Sequence, residues 1–456
     1  MQVEDQSIGG VDYSIELINH TLDKENILDI KPMVSEFVYS EDINIPFTSL
    51  TLLIADSLGL AELFPLVGDE LIGIKFKSDT QENYIQKLFK INSISNRKIL
   101  QERSHVYVIE ALSLEFFKNK TSSYERSYKG KTGSDIVKNV YENQLKSVYY
   151  DDVAVIPKPL SVEESSNLIT VNSNTQSPFN FIKQVSHYSY NTEYKSSVYR
   201  FYEDQTGFNF KTINGFFKND PVQDFFFGHS YGKFTEKLSP YQLINGVTFG
   251  HSFNSFNSLN LGLFDSSTDI IDPITKTYVE KSFNYFDDFN NLTHLDNFPI
   301  LSKVTRFKGL NGSSSSNYMS ARYNNKKKYT DVVPYISERI TASNDPHLFF
   351  ENQRYTFSME HIAQVQSLSN YKMDITVPGD SKLKVGDIVN VFVPQNSLEE
   401  EKLKKYVLHF GQDTSKFFVN AVKHQYIQSG GYFSTILNLS KESFNREVQV
   451  DNGGGD

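Results

Sequence analysis

Ser230 lies in the sequence pattern that most directly indicates a chemical reaction. Residues 228–232 read Gly-His-Ser-Tyr-Gly, and a G-x-S-x-G turn exposes the serine hydroxyl between a strand and a helix in serine hydrolases. Residues 225–227 could form that strand. Residues 233–240 show no apolar helical face, and Pro240 would end a helix early. The bare motif without its strand–turn–helix context is therefore a poor indication of a nucleophile.

Two further patterns could carry chemistry, and neither is complete. Gly130-Lys131-Thr132 resembles the end of a phosphate-binding loop, but Glu125 stands where that loop requires a glycine, and its carboxylate would repel phosphate. The histidines are scattered along the chain, which excludes the closely spaced helical pair that binds a metal. The sequence thus predicts no catalytic residue, no cofactor-binding residue and no metal ligand, and His361 is expected to be partly buried.

The composition restricts the class of protein. The chain has 456 residues, of which 39% are hydrophobic and 22% charged, enough for about three domains with real cores. Cysteine is absent, so disulfides, thiolate metal sites and iron–sulfur clusters are not expected. The net charge of −10 argues against a protein that clamps nucleic acid. We see neither a secretory signal at residues 1–10 nor an apolar run of about 18 residues that would span a bilayer.

Strand patterns dominate the first quarter of the chain. Phe and Tyr are abundant, at 36 and 27 residues, and both favour strands. Apolar and polar side chains alternate with a period of two, for example from Tyr13 to Leu17 and from Leu71 to Phe76. No long helical pattern interrupts them. We therefore expect a mainly antiparallel β protein in which residues 1–119 form the first β domain.

Residues 120–237 change character and predict an α/β domain. One helix is indicated by apolar side chains on a single face around Ile136 and Val140, with Ser134 placed to cap it. A second helix is expected to begin at Ser177-Pro178. Residues 199–203 and 208–210, separated by a turn, predict a hairpin.

Strand patterns return after residue 237. We expect residues 238–310 to form the first part of a second β domain, residues 311–370 an inserted loop and helix, and residues 371–446 its second part. The inserted helix is predicted near residues 353–368. Lys326, Lys327 and Lys328 more plausibly belong to a solvated loop than to a binding patch. Residues 447–456, rich in glycine, are expected to form a flexible tail.

The two strand-rich ends of the chain resemble each other. Four short segments recur in the same order: residues 50–54 as 373–377, residues 67–69 as 385–387, residues 89–94 as 417–422, and residues 112–117 as 439–444. The second of these is Val-Gly-Asp in both copies, and Gly-Asp favours a turn at the start of a strand. We infer two copies of one β domain, with the second copy interrupted and the α/β domain between the copies.

Several of these segments also carry a resemblance to a known family. They are residues 65–70 (Pro-Leu-Val-Gly-Asp-Glu), the hairpin at 201–210, residues 262–264 and 271–275, residues 377–387, His424, and residues 439–443. In this order they resemble the central hub proteins of contractile-tailed, T-even-like bacteriophage baseplates. The chain is also similar to the hub portion of type VI secretion spike proteins.

The resemblance implies a fold and an assembly. Such a chain would contain two tube-type antiparallel β-barrels, and three chains would close a ring of six barrels by heterologous contacts. The ring would join a sixfold tail tube to a threefold spike. An acidic wall suits a channel through which DNA leaves, because it does not retain phosphate. The family has no catalytic residues to carry over.

The resemblance also implies partners and a location. The partners would be two further copies of the chain, the tail tube protein, a central spike or tail lysozyme, and other baseplate proteins, with DNA only in passing. No stable membrane insertion and no cofactor are expected. The protein would lie in the virion tail baseplate, assembled in the host cytoplasm, and act in genome ejection. The first alternative is the hub of a bacterial contractile injection system, and the second is the serine hydrolase using Ser230.

Overall fold

The computed structural model describes the greater part of the chain. The described residues are 10–18, 27–60, 66–101, 104–146, 149–150, 153–154, 156–227, 239–251, 258, 261–272, 277–299, 327–332, 354–369, 371–393 and 416–444. Predictions made for Ser230, Lys326 and the tail at 447–456 fall outside them. No helix among the described residues is long and apolar enough to cross a membrane.

Strands account for most of the regular structure. In chain order they are β1 (Val11–Ile18), β2 (Ile27–Asp29), β3 (Val34–Asp42), β4 (Ser49–Asp56), β5 (Leu71–Ser78), β6 (Ile85–Gln101), β7 (Ser104–Ser113), β8 (Ser127–Thr132), β9 (Tyr149–Tyr150), β10 (Val153–Ala154), β11 (Leu160–Val162), β12 (Leu168–Asn172), β13 (Tyr199–Glu203), β14 (Phe208–Thr212), β15 (Gln223–Phe227), β16 (Leu243–Ile244), β17 (Gly246–His251), β18 (Asp265–Asp272), β19 (Thr277–Asn284), β20 (Phe298–Pro299), β21 (Lys327–Val332), β22 (Tyr371–Pro378), β23 (Ile388–Phe392), β24 (Lys416–Ile427), β25 (Tyr432–Lys441) and β26 (Ser443–Phe444).

The helices are short apart from two. They are α1 (Leu114–Thr121), α2 (Gly133–Val140), α3 (Pro178–Tyr188), α4 (Ile213–Phe216), α5 (Tyr285–Asp288) and α6 (Arg354–Leu368). A π-helical turn, Tyr141–Leu145, continues α2. The predicted fold class, mainly β with α+β insertions, is confirmed. Helices α2, α3 and α6 and the hairpin β13–β14 occupy the segments where the sequence predicts them.

Among the described residues, fourteen strands form one large sheet. Its first half has the order β3-β4-β7-β6-β5-β1-β2, with antiparallel pairing throughout. Alternate side chains of these strands, such as Ile15, Leu52 and Ile74, are fully buried in one core. Period-two burial is the outcome expected for strands with one face on a core.

The second half of the sheet closes on itself. Its order is β15-β23-β24-β25-β22-β17. Asn245 alone separates β17 from β16, and β16 pairs with β15, so the ladders return to the strand from which they start. Residues such as Val389, Phe418 and Leu437 fill the core inside.

Strand β24 joins the two halves. Residues 421–427 of β24 pair with residues 42–36 of β3, while the other side of β24 pairs with β25. Tyr426 of β24 packs against Tyr13 and Phe37 of the first half, with ring centroids 4.8 and 5.6 Å apart. One strand therefore contributes to both cores.

The four recurring segments lie on strands, or directly beside strands, that pair in the same order. In the first half this order is β4-β7-β6-β5, and in the second half it is β22-β25-β24-β23. Asn92 forms a bulge in β6 opposite β7, and Asn420 forms one in β24 opposite β25. Gly68 and Gly386, in the two Val-Gly-Asp turns, have φ of 94° and 92°, a left-handed conformation that favours glycine. The equivalence of the two ladders supports the predicted repeat, and descent of both from one barrel stays a prediction.

One of the four matches needs a correction by one residue. The sequence comparison aligns Leu112 with Leu439. In the ladders, however, Ala111 lies opposite the residue before the β6 bulge, and Leu439 occupies that place beside β24. Both side chains are fully buried. Because successive strand residues point to opposite faces, Ala111 is the true counterpart of Leu439.

The middle of the chain packs as a separate core beside the sheet. Helices α2 and α3 lie against the β13–β14 hairpin, to which β11 adds a parallel strand. Ile136, Phe181 and Phe210 are fully buried there. Thr132, rather than the predicted Ser134, caps α2, because its hydroxyl accepts the N–H of Asp135 at 3.2 Å and Ser134 already lies inside the helix.

Two elements lie differently from the predicted domain boundaries. Strand β15, expected in the middle domain, pairs with β23 of the second half. Strands β18 and β19, expected in the second β domain, form their own sheet with β21. Ser266, Ser267 and Thr268 are consecutive buried hydroxyl residues in β18, so this strand lacks the apolar alternation that the large sheet requires.

Candidate functional site: charged junctions of the large sheet

The segments that suggested chemistry have structural roles wherever they are described. Gly130 has a φ of 57°, and Lys131 pairs with Ile169 at the end of β8, so Gly130-Lys131-Thr132 is a turn into a helix. The prediction that Lys327 and Lys328 lie in a loop is wrong: they begin β21, where their backbone pairs with β18. No three histidine or acidic side chains within the described ranges are grouped closely enough to hold a metal.

His361 lies on α6 beside the middle core. Its Nδ1 is 2.9 Å from the hydroxyl of Ser197, and the residue is partly buried, as the sequence predicts. Its ring also contacts that of His187, with centroids 6.0 Å apart. These contacts fix α6 against the middle core.

A deeply buried charge cluster centres on Glu203 at the end of β13. Its carboxylate lies 3.0 Å from the ammonium of Lys87 on β6 and 2.8 Å from that of Lys158. Lys158 also binds Glu115 at 2.6 Å. The backbone N–H of Thr48 donates to Glu203 at 3.1 Å. One carboxylate thus ties the first half of the sheet to the middle core.

The cluster is electrically balanced by these contacts. Burial alone would raise the pKa of Glu203, but Lys158 and Lys87 outweigh it and lower the pKa to about 2. Glu203 is therefore ionised at any physiological pH. A buried pair of this kind becomes strongly destabilising when one partner is removed, because an uncompensated charge remains.

A second group of acids lies where the first half meets the second. Burial, followed by the nearby Asp204, raises the pKa of Glu41 to about 8. The hydroxyl of Tyr39 donates to Glu41 at 2.8 Å. Burial also raises the pKa of Asp387 to about 6. Glu41 is hence largely protonated at neutral pH, which lets it sit in the interior without a full counter-charge.

His424 lies on β24 at the seam between the halves. It is fully buried, with its ring stacked near Tyr39 and Phe433. Its Nδ1 is 3.0 Å from the hydroxyl of Thr435. Burial lowers the pKa of His424 to about 4. The residue is therefore neutral at physiological pH and packs as an aromatic ring.

A hydroxyl cluster joins the end of β5 to the turn after β22. Ser78 and Ser381 exchange hydrogen bonds, with each backbone N–H donating to the other's hydroxyl at 2.9 and 3.0 Å. Thr80 donates to Asp380 at 2.7 Å, and Ser381 donates to Gln81 at 2.6 Å. Asp380 is the one acidic residue in these contacts, and all four contacts are buried or partly buried. They hold the two halves together at a second point.

A third junction fixes the segment after α5 to the end of β25. His294 contacts Glu442 through Nδ1 at 2.7 Å and the carbonyl of Phe289 through Nε2 at 2.9 Å. Lys441 binds Asp296 at 2.6 Å. Burial would raise the pKa of Glu442, and His294 outweighs it, so the pKa is lowered. This junction orients the inserted segment on the second half.

These junctions share one property: their polar atoms point to other groups of the same chain. They are the connections of a scaffold, and each spans two parts of the fold. Sequence reasoning missed them, although one signal existed. Lys87 interrupts the apolar face formed by Ile85, Phe89 and Ile91 of β6, and an inward lysine requires a buried acid.

The arrangement of one large sheet, a middle core and an insertion is similar in fold to two solved phage tail proteins. The chain is similar to the tail protein from Neisseria meningitidis MC58, with a TM-score of 0.51 and 10% identity over 94% of this chain and 97% of that chain. It is similar to the 43 kDa tail protein of prophage MuSo2 from Shewanella oneidensis, with a TM-score of 0.52 and 6% identity over 94% of this chain and 99% of that chain.

A prophage tail protein from Listeria monocytogenes EGD-e gives a lower TM-score of 0.45, with 8% identity over 94% of this chain and 95% of that chain. No family model and no curated sequence matches the chain. The likeness in fold to the tail proteins from Neisseria meningitidis and prophage MuSo2, each over 94% of this chain, confirms the predicted resemblance at the level of fold.

Proposed function

We propose that the protein is a structural component of a phage tail, the trimeric central hub of a contractile tail baseplate. Three copies form a ring that receives the sixfold tail tube on one side and a threefold spike on the other. The two halves of the large sheet act as two barrels, so that three chains supply six. The protein needs no cofactor and catalyses no reaction.

The observation that carries this proposal is the whole-chain likeness in fold to two phage tail proteins. Two further observations support it. The two ladders have the same strand order, which is what a threefold ring needs to present six similar units. The net charge of −10 favours a channel wall that repels the phosphates of passing DNA.

The first test is the solution mass, measured by light scattering after size-exclusion chromatography. The proposal expects three times the monomer mass and, in negatively stained images, rings with a central hole. Monomers at every accessible concentration, with no rings, would contradict it.

An ester-hydrolysis assay tests the competing interpretation of Ser230. We expect no turnover above background for the wild-type protein and none for Ser230→Ala. Turnover that is lost in Ser230→Ala would overturn the non-enzymatic assignment and establish the serine as a nucleophile.

A further inference from the structure

Two strands of the large sheet have an edge that can accept another strand. Strand β6 pairs with β7 as far as Gln101, but with β5 only as far as Lys90. Within the described residues, no ladder covers the β5 side of residues 92–101. Strand β17 likewise forms a ladder only with β22 in the described part of the chain.

The edge of β6 is apolar as well as open. Ile94, Ile99 and Leu100 are 37%, 70% and 64% exposed. Open edges with exposed apolar side chains pair readily with other chains, and native proteins cover or charge them unless they are used. The edge of β6 is therefore suited to an interface.

The seam inside the chain shows which strand fits this edge. There, β24 pairs with β3. Strand β6 is the counterpart of β24, since each carries the asparagine bulge beside the counterpart strands β7 and β25. Strand β3 pairs with β4, and β17 pairs with β22, the counterpart of β4. Strand β17 is therefore the counterpart of β3. The counterpart of the β24–β3 seam is thus a β6–β17 seam.

The ladders also give the register of that seam. At the internal seam, Tyr426 pairs with Phe37. Tyr426 lies opposite Phe433 in β25. The counterpart of Phe433 in β7 is His105, which lies opposite Ile99 of β6. Ile99 is therefore the counterpart of Tyr426.

The counterpart of Phe37 follows in the same way. Phe37 lies opposite Leu52 of β4, and Ile375 of β22, the counterpart of Leu52, lies opposite Val247. Val247 is therefore the counterpart of Phe37. Ile99 should therefore meet Val247, and Lys98 should meet Thr248.

We propose that β6 of one copy pairs antiparallel with β17 of the next copy, through residues 94–100 and 246–251, so that the sheet continues from chain to chain. This inference rests on the proposed trimer. Three internal seams and three intermolecular seams then alternate around the ring, and no β6 or β17 edge is left uncovered. The contact is heterologous and closes after three copies.

A charged substitution on the edge of β6 tests the seam, because it should make the trimer dissociate at a higher protein concentration. In Ile99→Lys, a lysine replaces an exposed apolar side chain within the proposed interface, and lysine is a residue that blocks edge pairing. We expect the concentration for half-dissociation of the trimer to rise about tenfold or more. Ile156→Lys is the matched control, because Ile156 is 88% exposed and lies in the middle part of the chain. It should leave the mass unchanged.

Engineered cysteines test the register directly, because the chain has none of its own. We expect Lys98→Cys combined with Thr248→Cys to form covalent trimers on a non-reducing gel, and Lys98→Cys alone to form dimers at most. Circular dichroism matching that of the wild type shows that both variants fold.

The outcomes separate this inference from the proposed function. Trimers in solution with covalent trimers in the double variant support both. Trimers in solution without any intermolecular disulfide overturn the β6–β17 seam and leave the hub assignment standing. Monomers in solution, or a disulfide within one chain, overturn the seam, and monomers also contradict the hub.

Discussion

The two halves of the large sheet have the same ladder, but only the second half closes through its own strands within the described residues. The first half gives the edge of β3 to β24 and contacts the middle core through the Lys87–Glu203 pair. Counterpart positions therefore have different environments. A repeated strand order thus fixes the fold of each half, while the contacts between the parts of the molecule decide what each residue contributes.

The largest effect is expected where the first half depends on the middle core. Lys87→Ala leaves the buried Glu203 with one cation fewer, and we expect a loss of about 4 kcal/mol in unfolding free energy. The same change at Lys90, whose partner Asp69 is exposed, should cost less than about 1 kcal/mol. Urea titration followed by circular dichroism measures both. Equal losses would refute the distinction between the two lysines.

The next effect concerns acid and the strand shared by both halves. The pKa of His424 is about 4 in the folded protein, against about 6.5 unfolded. In this window only the unfolded chain takes up the proton, so stability falls as the pH falls from 6.5 to 4, by about 3 kcal/mol. In His424→Phe this part of the acid dependence should vanish. Urea titrations at pH 6.5 and pH 4 measure the loss of unfolding free energy in each protein. If His424→Phe loses as much stability as the wild type between these two pH values, His424 is not the cause.

The paired glycines give a direct comparison of the halves. Both Gly68 and Gly386 have positive φ, so replacement by alanine strains either turn by about 1 kcal/mol. A Cβ at Gly386 would lie 2.8 Å from Phe216, whereas one at Gly68 meets nothing within 4 Å. We expect Gly386→Ala to cost about 2 kcal/mol more than strain alone. Thermal unfolding of both variants measures these losses, and equal losses would show that the contact with Phe216 is unimportant.

The smallest effect is expected at the two bulges. Asn420 donates to Asn438 at 3.3 Å and accepts from Ser440 at 3.2 Å, while Asn92 is exposed. Asn420→Ala should cost about 1 kcal/mol, and Asn92→Ala less than about 0.5 kcal/mol. Chemical denaturation resolves this difference, and a larger loss at Asn92 would show that the first bulge has a role of its own.

Local patterns explain how much of the fold the sequence predicts. Alternation with a period of two locates β1, β4 and β5, and apolar helical faces locate α2 and α3. The recurring segments identify counterpart strands. These features depend on neighbours in sequence, which is why a single sequence can show them.

Long-range pairing explains what the sequence does not predict. Nothing near β24 indicates that it pairs with β3, and nothing near Lys158 indicates that it contacts Glu203. The shift from Leu112 to Ala111 has a similar cause, because similar letters do not reveal which residue lies opposite a bulge. The charged junctions were missed for the same reason, with the inward-facing Lys87 as the one readable sign.

The strand that joins the halves also sets the order of events during synthesis. The edge of β3 is complete once residue 42 has left the ribosome, but its partner segment in β24 ends at residue 427. At 5–20 residues per second, the interval is roughly 20 to 80 seconds. During that time the first half has an uncovered edge that can pair with neighbouring nascent chains. We expect the nascent protein to need shielding until β24 arrives, and fragments that end before residue 416 to aggregate.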